Sequence, residues 1–282
     1  MTTNRARLVG AALGYLVLVV GAVLYLGPFL IQVATSFKSN ADAVAHPLSL
    51  VPEQIDTSSY ERIATDPAVN VPLWLGNSLL VTLCVTAGRL LVDSMAGYAL
   101  ARLRWRGRGV VFTGLLMVMA VPPVVLLIPK FLVLRELSLF DSYAGMILPL
   151  LAYAMGIFLM KQAFEQVPVE VEESAKVDGA GIVRRWWSVV LPMVRPSMTT
   201  LGILAFQASW NEFTHFLVAT SSPGYETLTV GLARLVGGAL GEGQQLPLKL
   251  TIALVTTLPV AVVFLISQRH LVRAQLSGAI KG

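Results

Sequence analysis

The sequence predicts an all-α protein that crosses a membrane six times and returns both ends to the same side. Three observations carry that reading: a composition too apolar for water, six runs long enough to span a bilayer, and basic residues gathered on one side of them. Of the 282 residues, 55% are hydrophobic and only 13% charged, against about 25% charged in a soluble domain. The mean hydropathy is +0.72. Such a chain cannot coat itself for water, and its long apolar runs read as spanning helices. The same composition excludes a disordered tail, a coiled coil and a disulfide scaffold. Cys84, the single cysteine, has no partner within the chain.

A bilayer core about 30 Å thick takes about 20 apolar residues of helix. Six runs qualify: Leu8 to Ala34, Leu73 to Leu100, Val110 to Ile128, Ala144 to Met160, Ser197 to Ala219 and Leu250 to Ser267. The fourth is short and the fifth is the most polar. The first is too long for the apolar region of a signal peptide and lacks a small-residue cleavage site, so it reads as a span. The basic residues orient the set by the excess of Lys and Arg on the cytoplasmic side. Fourteen fall on one side: Arg5, Arg7, Arg102, Arg104, Arg106, Arg108, Lys161, Lys176, Arg184, Arg185, Arg195, Arg269, Arg273 and Lys281. Six fall on the other: Lys38, Arg62, Lys130, Arg135, Arg234 and Lys249. Both termini are therefore expected in the cytoplasm, as an even number of spans requires. The net charge of +5 is then a topology signal and not a nucleic-acid footprint.

The loops acquire sides. Ser36 to Pro72, Lys130 to Tyr143, and Ser221 to Lys249 with its Gly-rich stretch Gly237 to Gly243 lie outside. The Arg-rich turn Arg102 to Gly109 and the long segment Lys161 to Pro196 lie inside. No internal repeat and no low-complexity tract interrupts the chain, which reads as one domain over residues 1–282.

The inner segment Glu165 to Pro196 carries the most information. Pro168 suits the first turn of a helix, and Glu170, Glu172 and Glu173 follow where the helix dipole favours negative charge. Ser174, Ala175 and Ala180 offer a small face, and Gly179 and Gly181 permit a sharp turn into a second helix. That helix presents Arg184 and Arg185 beside Trp186 and Trp187 and ends near Pro192. Composition alone leaves two readings open: a helical hairpin projecting into the cytoplasm, or an amphipathic element at the lipid interface, where Trp and Arg are common.

The spacing separates them. Glu173-Ser174-Ala175, two residues, Asp178-Gly179-Ala180, then Val189, one residue and Leu191-Pro192 resembles the cytoplasmic EAA signature of binding-protein-dependent ABC importer permeases. The departures are mild: Ser174 stands for Ala and Val189 for Ile. The resemblance covers nearly the whole chain. Asn77-Ser78 and Tyr98-Ala99-Leu100-Ala101-Arg102 resemble the family's usual entry to and exit from the second span, while Pro122-Pro123 with Ile128-Pro129, Phe140-Asp141-Ser142-Tyr143, Ile147-Leu148-Pro149 and Trp210-Asn211-Glu212-Phe213 are similar to its carbohydrate branch. The ending Ser277 to Gly282 resembles the tail of the maltose-type second permease subunit.

The resemblance implies the type I importer fold, with coupling to an ATPase through Glu173, Ser174, Ala175, Asp178, Gly179 and Ala180. It implies four kinds of partner: a second homologous permease subunit, a dimeric ATP-binding subunit, an extracytoplasmic substrate-binding protein and membrane lipids. ATP and Mg would sit on the ATPase, leaving this chain with no cofactor and no catalysis of its own; no Walker-type Gly-rich Lys-Ser/Thr loop is present. A multi-pass place in a bacterial cytoplasmic membrane follows from the same likeness. The rival classes are an ion-coupled secondary transporter, which calls for matched halves that the sequence lacks, and a membrane scaffold. Within the family, a non-sugar solute such as a polyol or glycerol phosphodiester stays open beside a carbohydrate.

Polar residues inside spans usually face a bundle interior or a cavity. Arg89 and Asp93 are four apart on one helix face, as an ion pair would be. In the fifth span, Gln207, Trp210, Asn211 and Glu212 combine hydrogen-bonding groups with an aromatic surface, which suits a sugar on a substrate pathway. The alternative is that Asn211 and Glu212 hold helices together or cap a broken segment. His215 reads as interfacial. Pro122-Pro123 breaks the backbone ladder of the third span, lining a cavity or serving only as a kink. Gly10 and Gly14 form a GxxxG spacing that apolar helices show by chance. No cluster has metal-ligand spacing and no nucleophile sits with a His and an acid.

Overall fold

A computed structural model describes residues 2–67, 69–237 and 245–279. Among the described residues the regular structure is entirely helical. In chain order, α1 spans Thr2–Thr35, α2 Asn40–Ala45, α3 Ser58–Thr65 and α4 Val71–Arg102. Next come α5 (Arg108–Met119) and α6 (Leu127–Glu136), joined through a 3₁₀ turn at Pro123–Leu126. Then α7 (Tyr143–Ile147) continues through a 3₁₀ turn at Leu148–Leu150 and is followed by α8 (Ala154–Glu165). The chain goes on with α9 (Val169–Val177), α10 (Ile182–Met193), α11 (Arg195–Trp210), α12 (Thr214–Ala219), α13 (Leu228–Gly237) and α14 (Leu246–Ala279).

Three continuous stretches are long and apolar enough to cross a membrane: Ala12–Thr35, Val71–Arg102 and Leu246–Gln268. They match the first, second and sixth apolar runs. The other three runs are not straight helices: the break expected at Pro122-Pro123 is present, and the breaks in the fourth and fifth runs correct the expectation of continuous spans. The third is broken at Pro122-Pro123, where α5 and the Pro123–Glu136 segment meet at 102°. Two prolines remove two ladder donors, so the helix stops before them. The fourth is broken between Leu150 and Ala154, with a bend of 41°. The fifth ends at Trp210, and its α11 joins α10 of the helical hairpin at 89°. Counting each bent pair as one span gives up to six by length and composition.

The described residues form two compact units, one within Met1–Pro72 and Gly231–Thr257, the other within Leu73–Val230 and Leu258–Gly282. In the first, the loop after α1 is a folded element. Ser39 caps α2, its hydroxyl accepting from the Asp42 amide at 3.2 Å. The Ser36 and Tyr60 hydroxyls meet at 2.8 Å, and the Phe37 and Tyr60 rings stack with centroids 5.2 Å apart. Lys38 is only 1% exposed. Its ammonium group donates to the carbonyls of His46 (2.7 Å) and Ser49 (2.8 Å), which offsets the cost of leaving water. The Gly237 to Gly243 stretch lies, after Gly237, outside the described residues, as does the chain from Ile280.

The second unit has two apolar centres. One gathers Val81, Val85, Leu134, Met146, Leu150, Phe216, Ala219 and Val230. The other gathers Tyr98, Met160, Ala163, Phe164, Val167, Trp186, Val190, Val194 and Leu201 where α4, α8 and α10 meet. At Gly97 a Cβ would lie 2.7 Å from the Met160 Cβ and 2.9 Å from the Lys161 amide nitrogen, so only glycine lets α4 and α8 approach this closely.

Candidate coupling hairpin and membrane-embedded polar residues

Pro168 (φ −55°, ψ 135°) stands immediately before α9 and sets its entry. The exit is a double-bonded turn: the Gly179 amide donates to Lys176 O at 3.1 Å and the Ala180 amide to Ala175 O at 2.9 Å. Gly179 has φ +80°, the left-handed conformation this helix end demands. A Cβ there would meet nothing within 4 Å, so the constraint is conformational and not steric. Gly181 has ordinary extended geometry and precedes α10. The hairpin shape expected from the sequence is present. Glu173, Ser174, Asp178 and Gly179 are exposed, Ala175 and Ala180 half-buried, and Val177 is 87% exposed at the tip.

Glu172 points the other way and is 7% exposed. The Tyr98 hydroxyl donates to its Oε1 at 2.5 Å, Arg185 Nη1 lies 3.2 Å from the same oxygen, and Arg102 Nε lies 3.8 Å from Oε2. Arg102 also donates from Nη2 to the carbonyls of Phe164, at 2.5 Å, and Val167. Sequence reasoning gave Glu172 no role beyond the first helical turn; three nearby glutamates look alike until burial separates them. Arg185 is spent within the chain, whereas Arg184 is exposed.

Arg89 and Asp93 lie one helical turn apart on α4, but among the described residues they make no ion pair with each other. Each serves the break in the fourth run. Arg89 Nε donates to Leu150 O at 2.7 Å, and the Tyr153 amide donates to Asp93 Oδ1 at 2.9 Å. The guanidinium carbon sits 4.7 Å from the Tyr153 ring centroid. A helix interrupted in hydrocarbon leaves carbonyls and amides that water cannot reach, at a cost of several kcal/mol each. Here a cation takes the freed acceptor and an anion the freed donor.

The four residues expected on a substrate pathway fall at a second break. The fifth run is not helical through Glu212: α11 ends at Trp210, and α12 begins at Thr214. Glu212 accepts from the His215 amide at 2.8 Å, capping α12, and its carbonyl accepts from the Thr229 hydroxyl at 2.9 Å. Gln207 and Asn211 are exposed while Trp210 is buried and stacked on Phe206, centroids 5.8 Å apart. The structure thus places Gln207 and Asn211 at the surface and Trp210 in the interior. His215 is buried and not interfacial: its Nε2 lies 3.2 Å from the carbonyls of both Gly145 and Met146.

The other motifs prove to be hydrogen-bond centres. Asn77 donates to the carbonyls of Gly224 (2.9 Å) and Glu226 (2.8 Å) and accepts from the Tyr143 hydroxyl at 2.6 Å. Ser78 accepts from the Leu228 amide at 2.9 Å. Asp141 accepts from the amides of Ser221 and Ser222, both at 2.9 Å, and from the Ser222 hydroxyl. Ser142 caps α7.

Broken apolar helices held by polar side chains, with a hairpin standing off their end, define the membrane component of a transporter. The chain belongs to the family described as binding-protein-dependent transport system inner membrane component, whose pattern matches residues 93–276. It is 31% identical over 250 residues to the sulfoquinovosyl glycerol transport system permease protein SmoH of Agrobacterium fabrum, covering 88% of this chain and 86% of that one. It is 27% identical over 275 residues to the trehalose/maltose transport system permease protein MalG of Thermococcus litoralis, covering 95% and 97%. Its fold matches a chain of a bacterial ABC transporter involved in the import of the acidic polysaccharide alginate, with TM-score 0.82, 25% identity and coverage of 94% and 97%. The protein is thus an ABC importer permease subunit and not an enzyme, in a family whose members work with other ABC subunits.

Proposed function

We propose that this chain is one of two permease subunits of an ATP-driven importer, carrying a carbohydrate or a glycerol-linked sugar inward by alternating access. The observation that carries the reading is the hairpin: an exposed, double-bonded helix end at Asp178 to Ala180, standing on a packed base. That is a shape able to seat in another protein and pass on a push. A separate dimeric ATPase would receive Glu173, Ser174, Ala175, Asp178, Gly179 and Ala180, and would hold the ATP and Mg. An extracytoplasmic binding protein would deliver the solute to the outer loops, in a bacterial cell membrane with both termini cytoplasmic and six spans in a single permease domain. The relatives that transport sulfoquinovosyl glycerol and trehalose or maltose support the solute class.

The test is Gly179→Leu. A leucine must adopt φ near +80° or undo the turn. The variant is expected in the membrane at normal amounts, with uptake lost or severely reduced. Normal uptake by the intact complex would remove the hairpin from the mechanism.

A further inference from the structure

We infer that Glu172 is a positioning residue: it fastens the coupling hairpin to the cytoplasmic end of α4, so that the two move as one body. The inference rests on the reading of the hairpin as the ATPase contact. It goes further by naming the helix that receives the displacement.

Three helices leave the hairpin's base, and they differ as levers. The α8 limb has 12 residues and stops at the break before Ala154. The α10 limb is π-helical from Arg185 to Val190 and turns through 89° into α11. By contrast α4 runs 32 residues without a break. Sequence neighbours would pass a push to α8 and α10, the two that bend. The side chains instead tie the hairpin to the one that does not.

The tie is a single carboxylate. Buried charge is unfavourable unless paired and hydrogen-bonded, and Glu172 meets a phenol and a guanidinium from α4 and a guanidinium from α10. Arg102 carries the connection on to the end of α8 through the Phe164 and Val167 carbonyls. Around this knot lie apolar residues: the Tyr98 ring meets Phe164 edge-on at 5.7 Å, with Trp186 and Val190 in the same cluster. Burial on this side strengthens such contacts and makes a missing member costly, while the other side of the knot borders a polar cleft with Arg104, Arg108 and Lys176. One residue further along, Glu173 is exposed. The two neighbouring glutamates thus divide the work: Glu173 is offered outward, and Glu172 anchors inward.

The experiment uses the assembled importer with its ATPase and binding protein. Spin labels replace Met95 on α4 and Glu170 at the start of α9, both exposed. In the otherwise unchanged protein one narrow distance is expected, the same without nucleotide and with ATP bound. In Glu172→Gln, which keeps the shape but loses the charge, the distance should broaden or differ between the two states. Solute taken up per ATP hydrolysed, measured on assembled complex, should fall severalfold. A simple loss of stability lowers the amount of complex but not that ratio. An unchanged distance and an unchanged ratio in Glu172→Gln overturn the inference. If that variant does not assemble, Tyr98→Phe and Arg185→Gln decide by the same two readouts: a change in either supports the tie, and no change in both overturns it. A cysteine at Val177 separates this from the underlying reading. If it never cross-links to the ATPase, the hairpin reading fails and takes the inference with it. A cross-link formed alongside an unaltered Glu172→Gln overturns the inference alone.

Discussion

Charged residues in a membrane segment usually advertise a pathway, yet Arg89 and Asp93 are used to mend a backbone. At 5% and 0% exposed they are buried within the chain, and each holds one end of the gap before α8. The spacing of four that suggests an ion pair is also about one helical turn, which sets two side chains against two points on a neighbouring segment. Nothing in the sequence separates these uses, because the break they serve is some sixty positions away. Asp93→Asn keeps an acceptor for the Tyr153 amide and should cost little. Asp93→Leu leaves that donor buried and unmade, and should cost about 1–3 kcal/mol. Thermal unfolding of the two purified variants should rank them in that order, and equal losses would mean that charge, not the hydrogen bond, is what matters.

Among elements, the hairpin was the most legible and the bent helices the least. Glycine, proline and small residues at fixed intervals dictate a turn locally, so the Glu165 to Pro196 segment could be read from sequence down to Gly179. The breaks at Leu150–Tyr153 and Asn211–Phe213 depend on distant groups that satisfy them, and apolar composition runs straight through. Trp210 to Phe213 shows the result: four residues taken as part of one span are the end of α11 and the start of a gap. The cap that Glu212 provides to α12 sharpens the test of a pathway role. Glu212→Gln can still accept from His215, whereas Glu212→Ala cannot. If the residue only caps, both variants should show normal uptake per assembled complex, with Ala losing about 1 kcal/mol of stability. If it also lines the route, uptake per complex should fall, and more for Ala than for Gln. Variants at Gln207 and Asn211, which are exposed, should follow the same pattern.

For the molecule as a whole, family and membrane character were evident from composition and motif spacing, since both are written over nearly the entire length. What the apolar runs did not disclose is that the segment after α1 is a folded element. Asp56, in that segment, is half-buried, and its amide is fixed to Phe37 O at 2.9 Å. A cross-linker placed at Asp56 is expected to capture the binding protein in the working importer. Failure there and at every exposed position of the loops expected outside, with uptake intact, would move the docking surface elsewhere. The bent helices bear also on how such a chain is made. With 12 residues, α5 and α8 each rise about 18 Å, well short of the about 30 Å of hydrocarbon. As the polypeptide emerges from the ribosome, neither can settle into lipid by itself. For α8 the remedy has already been synthesised: α4 precedes it and carries the two side chains that close its gap. The order of residues along the chain thus suits an order of assembly in which a helix long enough to insert unaided is made first and offers a berth to one that is not.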